Sequence, residues 1–302
     1  MNGFLLIDKP AGPTSHDIVD KVRRLTGERT VGHAGTLDPF ATGLLIIGVG
    51  REATKHLSLF LGQDKEYEAI FTFGASSDTD DRTGVITLTS PRPSLAGGET
   101  KDGIIGDLPT SEQIRAALPQ FVGTIEQVPP AFAAIKIKGK KMYEAARAGK
   151  PLEAPPRKVM IYKFELLNSD DNINLSLRGA SRSSGDEAIP EGSLGPNGIA
   201  SPVLVDRVRN DKIFLCFHFR IHCSSGTYIR ALARDLGKAL GTAAYVSELR
   251  RTSIGPISIA EAASLEKLTP KTVGQFLVSA DTLRKRLSQG PAPSLQRSPL
   301  LL

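Results

Sequence analysis

The 302-residue chain has only two cysteines, Cys216 and Cys223, too few for a disulfide framework, so both are read as reduced thiols in a strand. It has no run of about 18 apolar residues, the length a helix needs to cross a bilayer. The apolar run in the opening MNGFLLIDKP is too short for a secretory signal. The expectation is a cytoplasmic protein with no membrane association. No GxxxxGK[ST] occurs, and no GxGxxG lies between a strand and a helix, so nothing supports ATP or NAD binding. A serine nucleophile lacks its GxSxG elbow, and no internal repeat is present. Acidic residues are outnumbered, 32 against 38 Lys and Arg, and the resulting net charge of +6 favours an anionic partner.

Much of the chain is patterned. GFLLIDKP reads as a short strand stopped by Pro10, followed by a helix capped at Thr14 or Ser15. That helix carries Ile18, Val19, Val22 and Leu25 at helical spacing and closes at Gly27. A glycine loop, GHAGTLDPFATG at 32–43, leads into GLLIIGVG, a buried strand. Residues 52–61 place Ala53, His56, Leu57 and Phe60 at helical spacing. EYEAIFTFG then alternates, with Tyr67, Ala69, Phe71 and Phe73 on one face. SEQIRAALPQF and TYIRALARDLGKALG read as helices, the second ending at Gly241. KVMIYKFELL and IFLCFHFRIHC read as strands that pair with each other. Stretches rich in Pro, Gly and Ser at about 90–109 and 169–202 read as irregular insertions. The patterned domain spans 1–259, and 260–302 is expected to be a short tail.

CFHFRIHC invites a zinc reading, but Cys216, His218, Arg220 and His222 share one strand face, with neighbours about 6 to 7 Å apart. A straight strand cannot wrap a tetrahedral ion at about 2.0 to 2.3 Å, so no metal is expected. DTDDRTG at 78–84 fails as a calcium loop because Arg82 and Thr83 occupy its fifth and sixth places. There remains Asp38 in LDP. Pro39 biases it towards an extended backbone and favours a helical turn after it, which makes Asp38 an expected N-cap with a lowered pKa, ionised and rigid enough to be a nucleophile or base.

GHAGTLDPFATGLL resembles the catalytic signature GHxGxLDPxAxGxL of the TruB family of tRNA pseudouridine synthases. LLIDKPAG precedes it. GREATK, DKEYEAIFTFG with DTDDRTG, VPPAFAAIKIKGKKMYEAARAG, CSSGTYIRALARDLG and YVSELRRTSIG follow in the family's order. Seven blocks in one order over residues 3–255 are far more specific than one motif. The resemblance implies an α+β pseudouridine synthase fold, with a central mixed, mainly antiparallel sheet flanked by helices and loops around an RNA-binding cleft. It implies an isomerase that converts uridine 55 in the TψC arm of tRNA to pseudouridine by base flipping, without a cofactor or metal. It further implies Asp38 as the nucleophile, Tyr67 as the ring that stacks on the uracil and abstracts a proton, and Arg230 as the partner of the aspartate. Tyr228 and Leu249 would line the base pocket, His33 would contact the everted nucleotides, and Lys9 would bind substrate and support the site.

KIKGKK, with Lys136, Lys138, Lys140 and Lys141, is the expected RNA-backbone surface, since relatives carry an RNA-binding insertion there. The alternative for those lysines is a solvated hairpin. Residues 260–302 are expected to hold no complete PUA module of the kind many relatives carry. The expected partner is tRNA, with no obligate protein partner and a monomeric state. The alternatives are a guide-dependent synthase of the dyskerin type, which shares this core, and an RNA-binding factor that assists tRNA folding.

Overall fold

The computed structural model describes residues 1–88, 108–133, 135–137, 139–149, 152, 154–167, 207–208, 212–213 and 215–288. The expected insertion at 169–202, nearly all of that at 90–109, Lys138 and the end of the expected tail lie outside these residues.

Strand β1 (Gly3–Lys9) stops at Pro10, which has no N–H to continue a ladder. Helix α1 (Ser15–Thr26) follows, closed at its start by a capping box. The Thr14 hydroxyl accepts from the Asp17 N–H, the Asp17 carboxylate accepts from the Thr14 N–H, and Gly27 ends the helix. The glycine loop does not begin at Gly32 as expected, because Val31–Ala34 form strand β2, and strand β3 (Thr42–Val49) follows it. The helix expected over 52–61 breaks at His56 and Leu57 into α2 (Arg51–Lys55) and α3 (Ser58–Leu61). Strand β4 (Lys65–Phe73) turns Tyr67, Ala69, Phe71 and Phe73 into the main core, as its alternation predicts.

A hairpin of β5 (Ala75–Ser77) and β6 (Ile86–Leu88) precedes α4 (Ser111–Ala117) and β7 (Gly123–Gln127). The short pair β8 (Lys136–Ile137) and β9 (Lys140–Lys141) leads to α5 (Met142–Arg147) and the long β10 (Arg157–Leu166). After the small hairpin of β11 (Arg207–Val208) and β12 (Lys212–Ile213) come β13 (Leu215–Cys223), helix α6 (Ile229–Ala239) and β14 (Ala244–Ile254). Strands β10 and β13 pair antiparallel, as expected. Strands β15 (Ile257–Ser258) and β16 (Ala263–Ser264) and helix α7 (Ala280–Ser288) complete the described chain.

Ten of these strands form one sheet, in the order β16-β1-β3-β14-β4-β13-β10-β7, with β2 beside β3 and β15 beside β14. Two of its pairings, β1 with β16 and β3 with β14, are parallel and the rest antiparallel, so the sheet is mixed and mainly antiparallel. One face packs on α1, α4 and α6 in a single large core. Over β1 and β3 the other face is covered by α2, α3 and α7 through Ala53, Phe60 and Leu283.

The described residues beyond 259, up to 288, do not form a free tail. Ala263 and Ser264 pair with Ile7 and Asp8, Val278 and Phe4 exchange backbone hydrogen bonds of 2.8 Å, and Leu265, Leu268 and Val273 are buried in the main core. Two-residue strands and 3₁₀ turns carry too little periodicity to be read from sequence.

Gly43 shows what holds β3 against β14. Its φ is +104°, and a Cβ there would stand 2.3 Å from the Arg251 carbonyl oxygen and 2.7 Å from the Arg251 nitrogen. The glycine is required by another strand of the same chain, so it need not be explained by a close approach of RNA. Gly43→Ala should lower the unfolding free energy by about 3 kcal/mol, read from denaturant melts. An unchanged midpoint would refute this close approach.

Candidate active site

Residues 9–15, KPAGPTS, fasten the loop at 35–41. Lys9 Nζ donates to the carbonyls of Pro10 (2.8 Å), Pro13 (2.8 Å) and Pro39 (3.1 Å). The Gly12 N–H also donates to Pro39 O (2.8 Å). Ser15 Oγ accepts from the Leu37 N–H (2.9 Å) and donates to Leu37 O (3.2 Å). Leu37, Phe40 and Ala41 are buried in the core. Asp38 therefore sits between two pinned residues, its side chain 34% exposed and lining a cleft. Its carbonyl accepts from the Ala41 N–H in a single turn, with no helix after it, so the expected N-cap is not formed. The direction of its pKa also differs from expectation. Burial raises it above the usual carboxylate value, Arg230 opposes the rise, Asp81 adds to it and Lys9 opposes it.

Arg230, on the first turn of α6, grips Asp38 with two nitrogens. Nε lies 3.0 Å from Oδ2 and Nη2 3.3 Å from Oδ1. Nη1 donates to Thr79 O (2.8 Å) and to Asp81 Oδ2 (3.2 Å), and Nη2 also reaches Phe132 O (3.4 Å). Asp81 is fixed in turn, accepting from the Thr83 N–H (2.9 Å) and from the hydroxyls of Thr83 (2.6 Å) and Thr79 (2.8 Å). A second pair beside it, Arg234 with Asp80 at 2.8 Å, anchors the turn 78–84 to α6.

The cleft, of about 300 Å³, is large enough for a nucleobase. Asp38, Tyr67, Tyr228, Arg230 and Leu249 line it together with Lys65 and Arg251. The Tyr67 hydroxyl is held above its ordinary pKa by burial, against the pull of Arg251, and is a neutral phenol at pH 7. Tyr228 is fixed by Gln127, whose amide accepts from the Tyr228 N–H at 3.0 Å, and by the Arg157 guanidinium 5.4 Å from its ring centre. Lys65 donates to Leu61 O and Gln63 O, and burial lowers its pKa to about 8.

The structure thus gathers five of the residues singled out in the sequence and leaves two outside the lining of the cleft. Lys9 is fully buried and committed to three carbonyls, so it holds the Asp38 loop from outside the lining of the cleft. Burial brings its pKa down to about 8. His33, on β2, does not line the cleft. Burial and then Arg251 hold its pKa below the usual imidazole value, and its Nδ1 has no hydrogen-bond partner among the described residues. Lys136, Lys140 and Lys141 lie on the β8–β9 pair. On β13, His218 and Arg220 face Glu68, and Cys223 is buried with its thiol pushed up to about 12.

Residues 23–185, more than half of the chain, match the N-terminal domain of the TruB family of pseudouridylate synthases, and residues 230–288 match the tRNA pseudouridylate synthase B C-terminal domain. The chain belongs to the TruB family. It is 39% identical over 270 residues to tRNA pseudouridine synthase B of Corynebacterium jeikeium (strain K411), covering 88% of this chain and 71% of that one. It is 37% identical over 295 residues to that of Thermobifida fusca (strain YX), covering 96% and 83%. Among solved structures it resembles that of the archaeal box H/ACA sRNP Nop10–Cbf5 complex, with a TM-score of 0.53 and 22% identity. It covers 94% of this chain but 57% of that one, a little over half its length. That likeness shows the shared fold.

Besides Lys65, two residues of the site in this TruB-family chain escaped the sequence reading, Asp81 as a carboxylate partner of Arg230 and Arg251 in the lining of the cleft. Asp81 stands in DTDDRTG and Arg251 in YVSELRRTSIG. Both lay in quoted blocks, but nothing local marks one acid among three as the partner of Arg230, or one arginine of a pair as facing the cleft. Lys9→Met, which keeps the volume and removes all three bonds, should lower kcat about 10- to 100-fold with little change in KM. A rise in KM alone would return Lys9 to a substrate contact.

Proposed function

We propose that Asp38 is the nucleophile of a guide-free tRNA pseudouridine synthase, acting on a uridine flipped into the cleft between Tyr67, Tyr228 and Leu249. The observation that carries the reading is the bidentate hold of Arg230 on a partly exposed Asp38 in that cleft. As a member of the TruB family the protein is an isomerase that makes pseudouridine, and the names of its relatives support tRNA as its substrate. The site proposed in the RNA is uridine 55 of the TψC arm.

The chemistry follows from the groups present. A stacked base must leave its helix before its glycosidic bond is reachable, at a cost of a few kcal/mol that aromatic stacking and pocket contacts offset. Asp38, desolvated yet pinned by Arg230, is a strong nucleophile when ionised, because a raised pKa means greater basicity. The bond between C1′ and N1 breaks, the bond between C1′ and C5 forms, and the C5 proton is lost while N1 gains one. No net electrons enter or leave. Tyr67 lies where the base would stack and is proposed to handle that proton. His33 is proposed to contact the nucleotides around the flipped base.

The enzyme is proposed to act as a monomer in the cytoplasm. Purified protein incubated with unmodified tRNA and no guide RNA should place pseudouridine at position 55, and Asp38→Asn should lower the rate at least about 10³-fold. No product from the wild-type protein, or undiminished product from Asp38→Asn, would overturn the reading. The lysines of KIKGKK are proposed to meet RNA phosphates. Substituting Lys138, Lys140 and Lys141 together should weaken tRNA binding and flatten the slope of log K against log salt by about 2. An unchanged slope would return the segment to a solvated hairpin.

A further inference from the structure

Among the described residues Arg251 is the largest fully buried side chain, 1% exposed. Its Nε donates to Leu44 O (2.8 Å) and its Nη2 to Gly35 O (3.0 Å), both neutral acceptors. Among the described residues it forms no ion pair, whereas Arg230, Arg234 and Arg250 each meet a carboxylate. A cation taken out of water without a counter-charge costs several kcal/mol, so its place in the fold calls for a use. Strand β14 sets Arg251 directly opposite Tyr67 on β4, and both side chains line the cleft. The guanidinium's charge acts on the Tyr67 hydroxyl, pulling its pKa down against the rise caused by burial. Of the other cations lining the cleft, Lys65 is committed to two backbone carbonyls and Arg230 to Asp38 and Asp81.

Isomerisation moves one proton from C5 of the uracil to N1. A tyrosine that gives its hydroxyl proton to N1 and takes the C5 proton balances this transfer. The electron pair of the broken C5–H bond returns to the ring, and the tyrosine passes through a phenolate. We infer that Arg251 is the positioning residue that orients the Tyr67 hydroxyl and neutralises the phenolate it becomes. The inference rests on the role of Tyr67 given under the proposed function. Held by Leu44 O and Gly35 O, the guanidinium is preorganised before substrate arrives, so no reorganisation is needed as charge develops. The same hold ties it to the loop carrying Asp38, through Gly35.

The test is a double-mutant cycle read by single-turnover pseudouridine formation on unmodified tRNA. Arg251→Lys should slow the reaction about 10-fold and Arg251→Gln about 100-fold, with tRNA affinity unchanged within about twofold. In a Tyr67→Phe background each should change the rate by less than about twofold. The two substitutions differ in charge and size, so whichever retains a cooperative thermal transition supplies the cycle. If Tyr67→Phe is slow and the Arg251 effects add fully to it, the arginine acts independently and the inference falls alone. If Tyr67→Phe is as fast as wild type, the role of Tyr67 on which it rests falls with it. The expected pattern is that Arg251→Lys recovers about 10-fold of the rate lost in Arg251→Gln when Tyr67 is present, and that the two variants do not differ in its absence.

Discussion

The guanidinium of Arg230 ties together segments that are remote in sequence. It joins α6 to Asp38 in the loop at 35–41, to Thr79 and Asp81 in the turn at 78–84, and to the carbonyl of Phe132. Each charge-assisted bond is worth about 1.5 to 3 kcal/mol, and removing one partner from a buried pair costs about 3 to 5 kcal/mol. The network that orients the nucleophile is therefore also one that stabilises the fold, and the turn cannot loosen without loosening Asp38.

A second constraint is supplied by cations that hold backbone carbonyls. Lys9 takes Pro10, Pro13 and Pro39, Lys65 takes Leu61 and Gln63, and Arg251 takes Leu44 and Gly35. Loops lack the ladder that satisfies carbonyls in strands, so a loop that must be both buried and rigid needs donors from side chains. Lysine and arginine supply several donors at once, and their positive charge remains near the cleft. That charge suits a polyanionic substrate and offsets, at Asp38, part of the effect of burial and of the nearby Asp81 carboxylate. The result is a carboxylate made more basic by burial, with cations set against that rise.

What could be read in the sequence follows from what the residues do locally. Helix α1 was legible because its capping box and apolar stripe are local signals, and β4 because its alternation matches a strand with one face in the core. Strand β14 was not read as a strand, although it lies at the centre of the sheet. Its sequence from Ser247 to Ser253 is dominated by polar and charged residues, and their partners come from elsewhere. Arg250 meets Asp8 at 2.7 Å, Thr252 donates to Glu66 at 3.1 Å, and Arg251 holds Leu44 and Gly35. Periodicity of apolar residues cannot reveal a strand whose burial is achieved through long-range polar pairing.

The site itself was legible in membership and less so in physics. Ordered blocks along the chain singled out Asp38, Tyr67, Tyr228, Arg230 and Leu249, and all five line one cleft. Local reasoning on LDP nonetheless gave an N-cap and a lowered pKa, because it supplied a helix that does not form and could not supply Asp81 or the enclosing core. How Lys9 supports the site is hidden for the same reason, since nothing in KPAGPTS shows that three carbonyls, one of them from Pro39, enclose it. A residue's identity is carried by the sequence one position at a time, whereas its charge state is set by groups brought near it by the whole fold. Buried charge in Lys9, Arg230 and Arg251 breaks the ordinary rule for interiors around this one cleft, and such departures are expected to cluster where function is built.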